Sequence, residues 1–419
     1  MKNKLKQKNI PDGWTALRLG DIGYAKIGLT YSPSDVVRDK GILVFRSSNI
    51  KGDKINYSDQ VRVNKKIPND LKVKEGDILI CARNGSRRLI GKNVYISKQD
   101  EGNTFGAFMS VFRTKNSKFI YHLFQSYLFR REIEKDIGPT INQVTTGNLL
   151  RFKFTLPPLP EQKRIVAVLE TWDEYLEKLK RKIEIKKNIK KGLMQQLLTG
   201  KKRLKGFKGK WQTVKLGDIG KIVSGGTPDT NNINYWNGNI LWVTPTEITK
   251  LSSKFLYNTE RRISLEGLNN SSATLIPKMS LILCSRATIG ECAINKFDVT
   301  TNQGFKNIVP SNIDINFLYY FILTKKKYLK KISSGSTFLE FSKRDLEKMP
   351  ITIPMQKKEQ TAIANILTKA DEEIEALEKK KKIIEEQKKY LLNNLITGKL
   401  RTPENLKRLN KNSPSTALL

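Results

Sequence analysis

Apolar residues recur every seven positions in two stretches of the chain. In the first, Ile165, Trp172, Leu179 and Leu193 form one row, and Leu169, Leu176, Ile183 and Leu197 form another. In the second, the rows are Ile363, Ala370, Leu377, Ile384 and Leu391, and Leu367, Ile374 and Leu395. This spacing puts both rows on one stripe of a helix, the seam of a coiled coil. Prolines at 157, 158 and 160 stand at the start of the first stretch, where a missing N–H costs little. Thr199-Gly200 and Thr397-Gly398 close the two stretches with the residue that most readily ends a helix. Each stretch predicts a helix of about 39 residues, roughly 58 Å long. Lys186, Lys190, Lys381 and Lys388 interrupt the rows. An amphipathic helix on a globular core would show similar rows. The equal lengths and near-constant offset of the copies favour an antiparallel intramolecular coiled coil. Its packing residues would be Ile165, Leu169, Trp172, Leu176 and Leu179 with Ile363, Leu367, Ile374 and Leu377.

Outside these stretches the apolar runs are short. Gly41–Phe45 and Asp77–Cys81 are bounded by glycine and charge, as strands are, and so are their counterparts Ile240–Val243 and Leu281–Cys284. The correspondence runs through the whole chain. Trp14-Thr-Ala-Leu-Arg-Leu-Gly-Asp-Ile-Gly matches Trp211-Gln-Thr-Val-Lys-Leu-Gly-Asp-Ile-Gly at an offset of 197. Glu161-Gln162 matches Glu359-Gln360 at 198, as does Leu197-Leu-Thr-Gly-Lys with Leu395-Ile-Thr-Gly-Lys. Gly138-Pro-Thr140 matches Gly335-Ser-Thr337. The intervening segments differ, for example Arg83-Asn-Gly-Ser-Arg87-Arg88 against Arg286-Ala-Thr-Ile-Gly290. A scaffold written twice with changed decoration predicts a pseudo-two-fold α+β molecule. Its parts would be a strand-rich domain at 1–155, a helix at 156–201, a second strand-rich domain at 202–352, a second helix at 353–402 and a flexible tail at 403–419.

Charge points to a partner. The chain carries 77 Lys and Arg against 40 Asp and Glu, a net +37. Such an excess repels itself unless a polyanion neutralises it, and nucleic acid is the obvious one. Codon bias in an AT-rich genome would raise lysine too, but it would also raise glutamate. The three cysteines show no disulfide framework, no apolar run follows the basic Met1–Ile10, and no stretch of about 18 apolar residues occurs. A cytoplasmic protein with no membrane contact is expected.

Catalytic patterns are missing. The one histidine, His122, lies in an apolar run; no phosphate-binding loop with its lysine, no zinc ligand set and no Asn-Pro-Pro-aromatic run is present. The pattern of a non-enzyme follows.

The segment Leu156–Gln162, the helix behind it and Leu197-Leu-Thr-Gly, with the copy at 353–399, resemble the conserved regions of type I restriction-modification specificity subunits. The Trp-x-x-x-x-Leu-Gly-Asp-Ile openings, Ser224-Gly-Gly-Thr227-Pro228 and Tyr235-Trp-x-Gly-x-Ile240-x-Trp242 look like parts of that family's target-recognition domains. The likeness covers essentially the whole chain, although Gly28-Leu-Thr-Tyr31 replaces the Gly-Gly-Thr-Pro loop in the first half. It implies a sequence-specific subunit for double-stranded DNA, each domain reading half of a split target, with the helices as spacer. It also implies two methyltransferase subunits docked on the helices and two restriction subunits. S-adenosylmethionine, ATP and Mg would sit on those partners, with no cofactor, metal or catalytic residue in this chain.

Residues at strand ends are the candidates for DNA contact: Arg46 and Asn49, Arg83, Arg87 and Arg88, and, in the second half, Thr227, Thr244, Glu247 and Arg286. Arginine and asparagine suit bidentate reading of guanine and adenine edges. Any one of them could instead be a solvated turn residue. Two other functions stay open: a stand-alone DNA-modifying enzyme, and a coiled-coil DNA-binding protein without sequence preference.

Overall fold

A computed structural model describes residues 10–138, 142–335 and 339–404. The Gly138–Thr140 and Gly335–Thr337 matches therefore fall mostly outside the described residues, as does the expected tail beyond residue 404.

The chain forms two compact units. One comprises residues 1–180 with 380–419, the other residues 181–379. Two long helices, α1 (Leu159–Leu197, 39 residues) and α2 (Lys357–Thr397, 41 residues), match the seven-residue pattern. Each helix is shared between the units. The first unit holds the opening part of α1 and the closing part of α2; the second holds the reverse.

Within each unit the two helix segments run antiparallel. In the first, Asp173 pairs with Lys388, and Glu161 near the start of α1 pairs with Arg401 just past the end of α2. In the second, Lys190 pairs with Asp371 at 2.5 Å, Lys186 with Glu373 at 2.7 Å and Lys187 with Glu378 at 2.7 Å. So Lys186, Lys190 and Lys388, which break the apolar rows, each face an acid on the opposite helix. Such pairs add little stability each, about 0–1 kcal/mol, but they specify partner and direction. Lys381 has Glu385 of its own helix at 3.9 Å. Gly200 and Gly398, at φ 70° and 73°, take the left-handed conformation that stops each helix.

The strand-rich part of each unit has the same plan. In the first, Thr15–Arg18 pairs antiparallel with Lys153–Leu156. A four-stranded sheet follows the order Gly23–Ile27, Met109–Thr114, Ile78–Cys81, Asn93–Tyr95. A second sheet carries Ile42–Phe45 between Thr104–Phe105 and Arg62–Val63, with Val36–Val37 at its edge. In the second unit Trp211–Lys215 pairs with Pro350–Pro354. There the larger sheet runs Gly220–Ser224, Lys306–Pro310, Leu281–Leu283, Cys292–Asn295, Phe255–Leu256, and the smaller runs Arg261–Ile263, Trp236–Val243, Val299–Thr301. The architecture is the expected α+β one, strand-rich domains carrying two long helices.

The repeated Leu-Gly-Asp-Ile is a helical turn in both copies. The carboxylate of Asp21 accepts the backbone N–H of Arg18 at 2.7 Å, and that of Asp218 accepts Lys215 at 2.9 Å. Leu19 and Leu216 are thereby buried. In the first unit Ile165, Leu169, Trp172 and Leu176 of α1 and Leu391 and Leu395 of α2 join one core with Phe112, Phe129 and Ile133. In the second, Leu197, Ile363 and Leu367 pack with Leu216, Phe317 and Phe321. Leu179 is buried as well, whereas Ile374 and Leu377 are half-buried. The helices thus pack on the strand-rich domains and on each other, which unites both readings of their heptad rows.

Candidate nucleic-acid interface

In the first unit Arg83 follows the strand Ile78–Cys81 and is exposed. Its backbone N–H donates to the carbonyl of Phe108 at 3.0 Å, and its guanidinium lies 5.1 Å over the exposed Phe108 ring. No side-chain hydrogen bond or ion pair holds Arg83 among the described residues. Arg87 and Arg88, both exposed, sit on the short turn Arg87–Leu89. Arg87 donates to the carbonyl of Ile137 at 3.1 Å, whereas the side chain of Arg88 has no described partner.

Arg286 stands at the equivalent place in the second unit. Ser285 beside it donates to the carbonyl of Gly304, as Ala82 donates to Phe108 in the first unit. Arg286 is half-buried, and its backbone bridges Glu340 as that of Arg83 bridges Gln143. Glu340 accepts from Lys306 at 2.7 Å and from Ser285 at 3.0 Å. Burial opposes ionisation of Glu340, but Lys306 and Ser285 outweigh it and hold the carboxyl below the usual range. Thr227 is close by: its hydroxyl donates to Gln303 at 2.5 Å. Gln303 is exposed. Nothing local in the sequence marked it, because its neighbour Thr227 lies 76 residues away.

Four other candidates hold the scaffold. Asn49 is fully buried; its Oδ1 accepts the N–H of Arg46 at 2.8 Å, and its Nδ2 donates to the carbonyls of Asn56 and Asp59 at 3.1 and 2.6 Å. Its hydrogen-bonding capacity is spent within the fold. Glu247 takes the same place in the second unit, accepting from the N–H and hydroxyl of Thr244 at 2.7 and 2.9 Å and from the N–H of Glu260 at 2.7 Å. Thr244 and Glu247 form a capping box on the helix Pro245–Lys250. Arg46 is half-buried and pairs with Asp59 at 2.7 Å.

The histidine and the three cysteines are buried. His122 is buried, and burial with Lys388 and Lys118 nearby pushes its pKa down to about 3. Burial also pushes the thiols of Cys81 and Cys284 up to about 11 and about 12. No group of three or more His, Cys, Asp or Glu among the described residues could hold a metal ion. No helix among them is long and apolar enough to cross a membrane.

Residues 11–187 and 208–386 each match the family model described as type I restriction modification DNA specificity domain. The two matches follow the internal repeat. The chain is 39% identical over 178 residues to the type I restriction enzyme MjaIX specificity subunit of Methanocaldococcus jannaschii, a match spanning 42% of this chain and 41% of that one. With the putative MjaX specificity subunit of the same organism it shares 28% identity over 94% of this chain and 95% of the relative. Its fold resembles a chain solved in work on complex assembly and conformational transition of the type I R-M system. That likeness has a TM-score of 0.64 at 20% identity and covers 94% of this chain and all of that one. With both halves matched, the chain belongs to the type I restriction-modification DNA specificity family, in which it carries two specificity domains.

Proposed function

We propose that each unit reads one half of a bipartite double-stranded DNA sequence, using arginines at the ends of equivalent strands. One observation carries this reading: Arg83 and Arg286 stand at matched places in a scaffold repeated down to its backbone bridges, while the side chains around them differ. A repeated frame gives both halves the same approach to the duplex, and changed neighbours give different base preferences. Phosphate contacts then set register, while base-edge contacts specify. Arg83, Arg87, Arg88, Arg286 and Thr227 are the contacts; Arg46, Asn49, Thr244 and Glu247 hold neighbouring turns of the scaffold.

The long helices would dock two copies of a methyltransferase subunit. Ile185 of α1 and Ile383 of α2 are 57% and 54% exposed and equivalent at an offset of 198. Two copies of one partner need two copies of one docking point. Two ATP-driven restriction subunits would complete the complex. S-adenosylmethionine, ATP and Mg belong on those partners, and this chain would work in the cytoplasm as a non-catalytic subunit. Selection of bound duplexes from a randomised pool, using the chain with its methyltransferase subunits, tests the reading. A split consensus is expected; a continuous one, or none, overturns it. Co-purification with Ile185→Asp and Ile383→Asp tests the docking points: each change should remove one copy of the partner.

A further inference from the structure

Arg261 of the second unit is held in place by two tryptophans. It lies opposite Trp242 in the antiparallel pairing of Arg261–Ile263 with Trp236–Val243. The Trp236 and Trp242 rings meet edge to face with centroids 5.0 Å apart. The Arg261 guanidinium sits 3.7 Å over Trp236 and 5.0 Å from the Trp242 centroid. Both indoles are anchored. Trp236 donates to the carbonyl of Asp229 at 3.0 Å and Trp242 to that of Gly226 at 3.1 Å. The loop at 224–230 therefore fixes the rings, and the rings fix the arginine.

Arg261 is exposed, and its side chain has no hydrogen bond or ion pair among the described residues. Two other arginines of this unit are engaged: Arg262 donates to Asn258 at 3.1 Å, and Arg203 grips Glu359 through two nitrogens at 2.7 and 2.9 Å. Stacking on an aromatic face leaves the N–H edges of a guanidinium free while removing its freedom to swing. A fixed planar fork of donors matches the O6 and N7 acceptors of guanine in the major groove. A phosphate contact needs only a mobile charge, which the lysines of this chain supply in number.

The first unit lacks the feature although it keeps the strands. Ile42 pairs with Val63 and Leu43 with Arg62, as Ile240 pairs with Ile263 and Leu241 with Arg262. One step further, where the second unit has Trp242 and Arg261, the first has Val44 and Val61, joined by a backbone bond at 2.8 Å. The two halves differ in chemistry at a position where their frames agree, as the half-specific part of a reader must. The stack also borders the loop cluster already described, since Gly226 precedes Thr227, the partner of Gln303.

We propose that Arg261 is a specificity-determining residue that reads a guanine in the half-site of the second unit. This rests on the DNA-reading function proposed above. The test uses the full chain bound to its methyltransferase subunits, in competition binding against duplexes varied one base pair at a time. Arg261→Ala should lose about 5- to 150-fold of discrimination at one G·C pair of one half-site and leave the other half-site unchanged. Arg261→Met keeps most of the stacked stem and should behave the same if the alanine variant folds poorly. Arg261→Lys should not restore the preference. Equal weakening on all sequences, or full rescue by lysine, would make the residue a phosphate contact and overturn the assignment. Unchanged discrimination would overturn it too. A wild-type complex with no split preference would instead sink the underlying function, and the assignment with it.

Discussion

The indole N–H of Trp14 donates to the carboxylate of Glu161 at 3.1 Å, across 147 residues of chain. Arg401 closes the same carboxylate from the other side through Nε at 2.6 Å and an Nη at 2.9 Å. The second unit repeats the clamp: Glu359 accepts from Trp211 at 3.3 Å and from Arg203 at 2.7 and 2.9 Å. Each clamp joins the start of a strand-rich domain, the start of one long helix and the segment that follows the other. Glu161→Ala would strand a buried indole N–H and leave Arg401 without its acid. We expect a loss of about 1–3 kcal/mol, with Glu161→Gln milder because one acceptor remains. Hydrogen exchange resolved by segment should show faster opening at 14–20 and 153–165. Unchanged protection there would mean the clamp contributes nothing.

The ion pairs between the helices should be directional. In a double-mutant cycle on Lys190 and Asp371, each single alanine variant should lose stability, and the coupling should be about 0.5–1 kcal/mol, shrinking in high salt. The Lys190→Asp/Asp371→Lys double variant should recover part of the loss seen in either single reversal. Strict additivity would show that the pair does not set the register.

Buried His122 gives stability a pH dependence. Its pKa falls from 6.5 to about 3 on folding, so the unfolded chain binds the extra proton between those values. Stability contributed by the neutral ring is therefore complete above about pH 6.5 and is lost as pH falls toward 3, by at most about 1.4 kcal/mol per pH unit. Denaturant midpoints from pH 7 to 5 should fall more steeply for the wild type than for His122→Phe. Parallel slopes would contradict this.

Arg83→Ala and Arg286→Ala should each weaken discrimination in a different half-site, by about 1–3 kcal/mol at the base pair read. Asn49→Ala should behave otherwise, lowering thermal stability with no change of preference in the protein that remains folded. If Asn49→Ala changes a base preference at unchanged stability, the division between readers and scaffold is wrong.

With a net charge of +37, DNA affinity should fall steeply with salt. Six or more phosphate contacts imply a loss of about 10³-fold or more between about 50 and 200 mM. A shallow slope would mean that the lysines face solvent or protein partners.

The long helices were legible because their period is local and occurs twice, and strands such as Ile42–Phe45 and Ile78–Cys81 were legible because their apolar runs end at glycine or charge. The lysines in the heptad rows read as interruptions; their meaning depends on Asp173, Asp371 and Glu373 of the opposite helix, which no local pattern reveals. Thr244 and Glu247 carried a readable signal, the Thr-x-x-Glu spacing of a capping box, that marks a helix start as much as a DNA contact. The Arg261 stack was hidden for a different reason. It forms only once Trp242 and Arg261 are set opposite each other, and strand register at that distance is fixed by the folded core.

In the function proposed above, each unit reads its own half of the DNA target. The most direct test replaces residues 13–156, which keeps both strands of the Thr15–Arg18/Lys153–Leu156 ribbon together, with the matching segment of a relative of different specificity. Methylated sites are then mapped across the genome of cells carrying the complex. One half of the recognised sequence should change to that of the donor, with the other half as in the wild type. Rewriting of both halves, or of neither, in a complex that still methylates DNA would contradict the account.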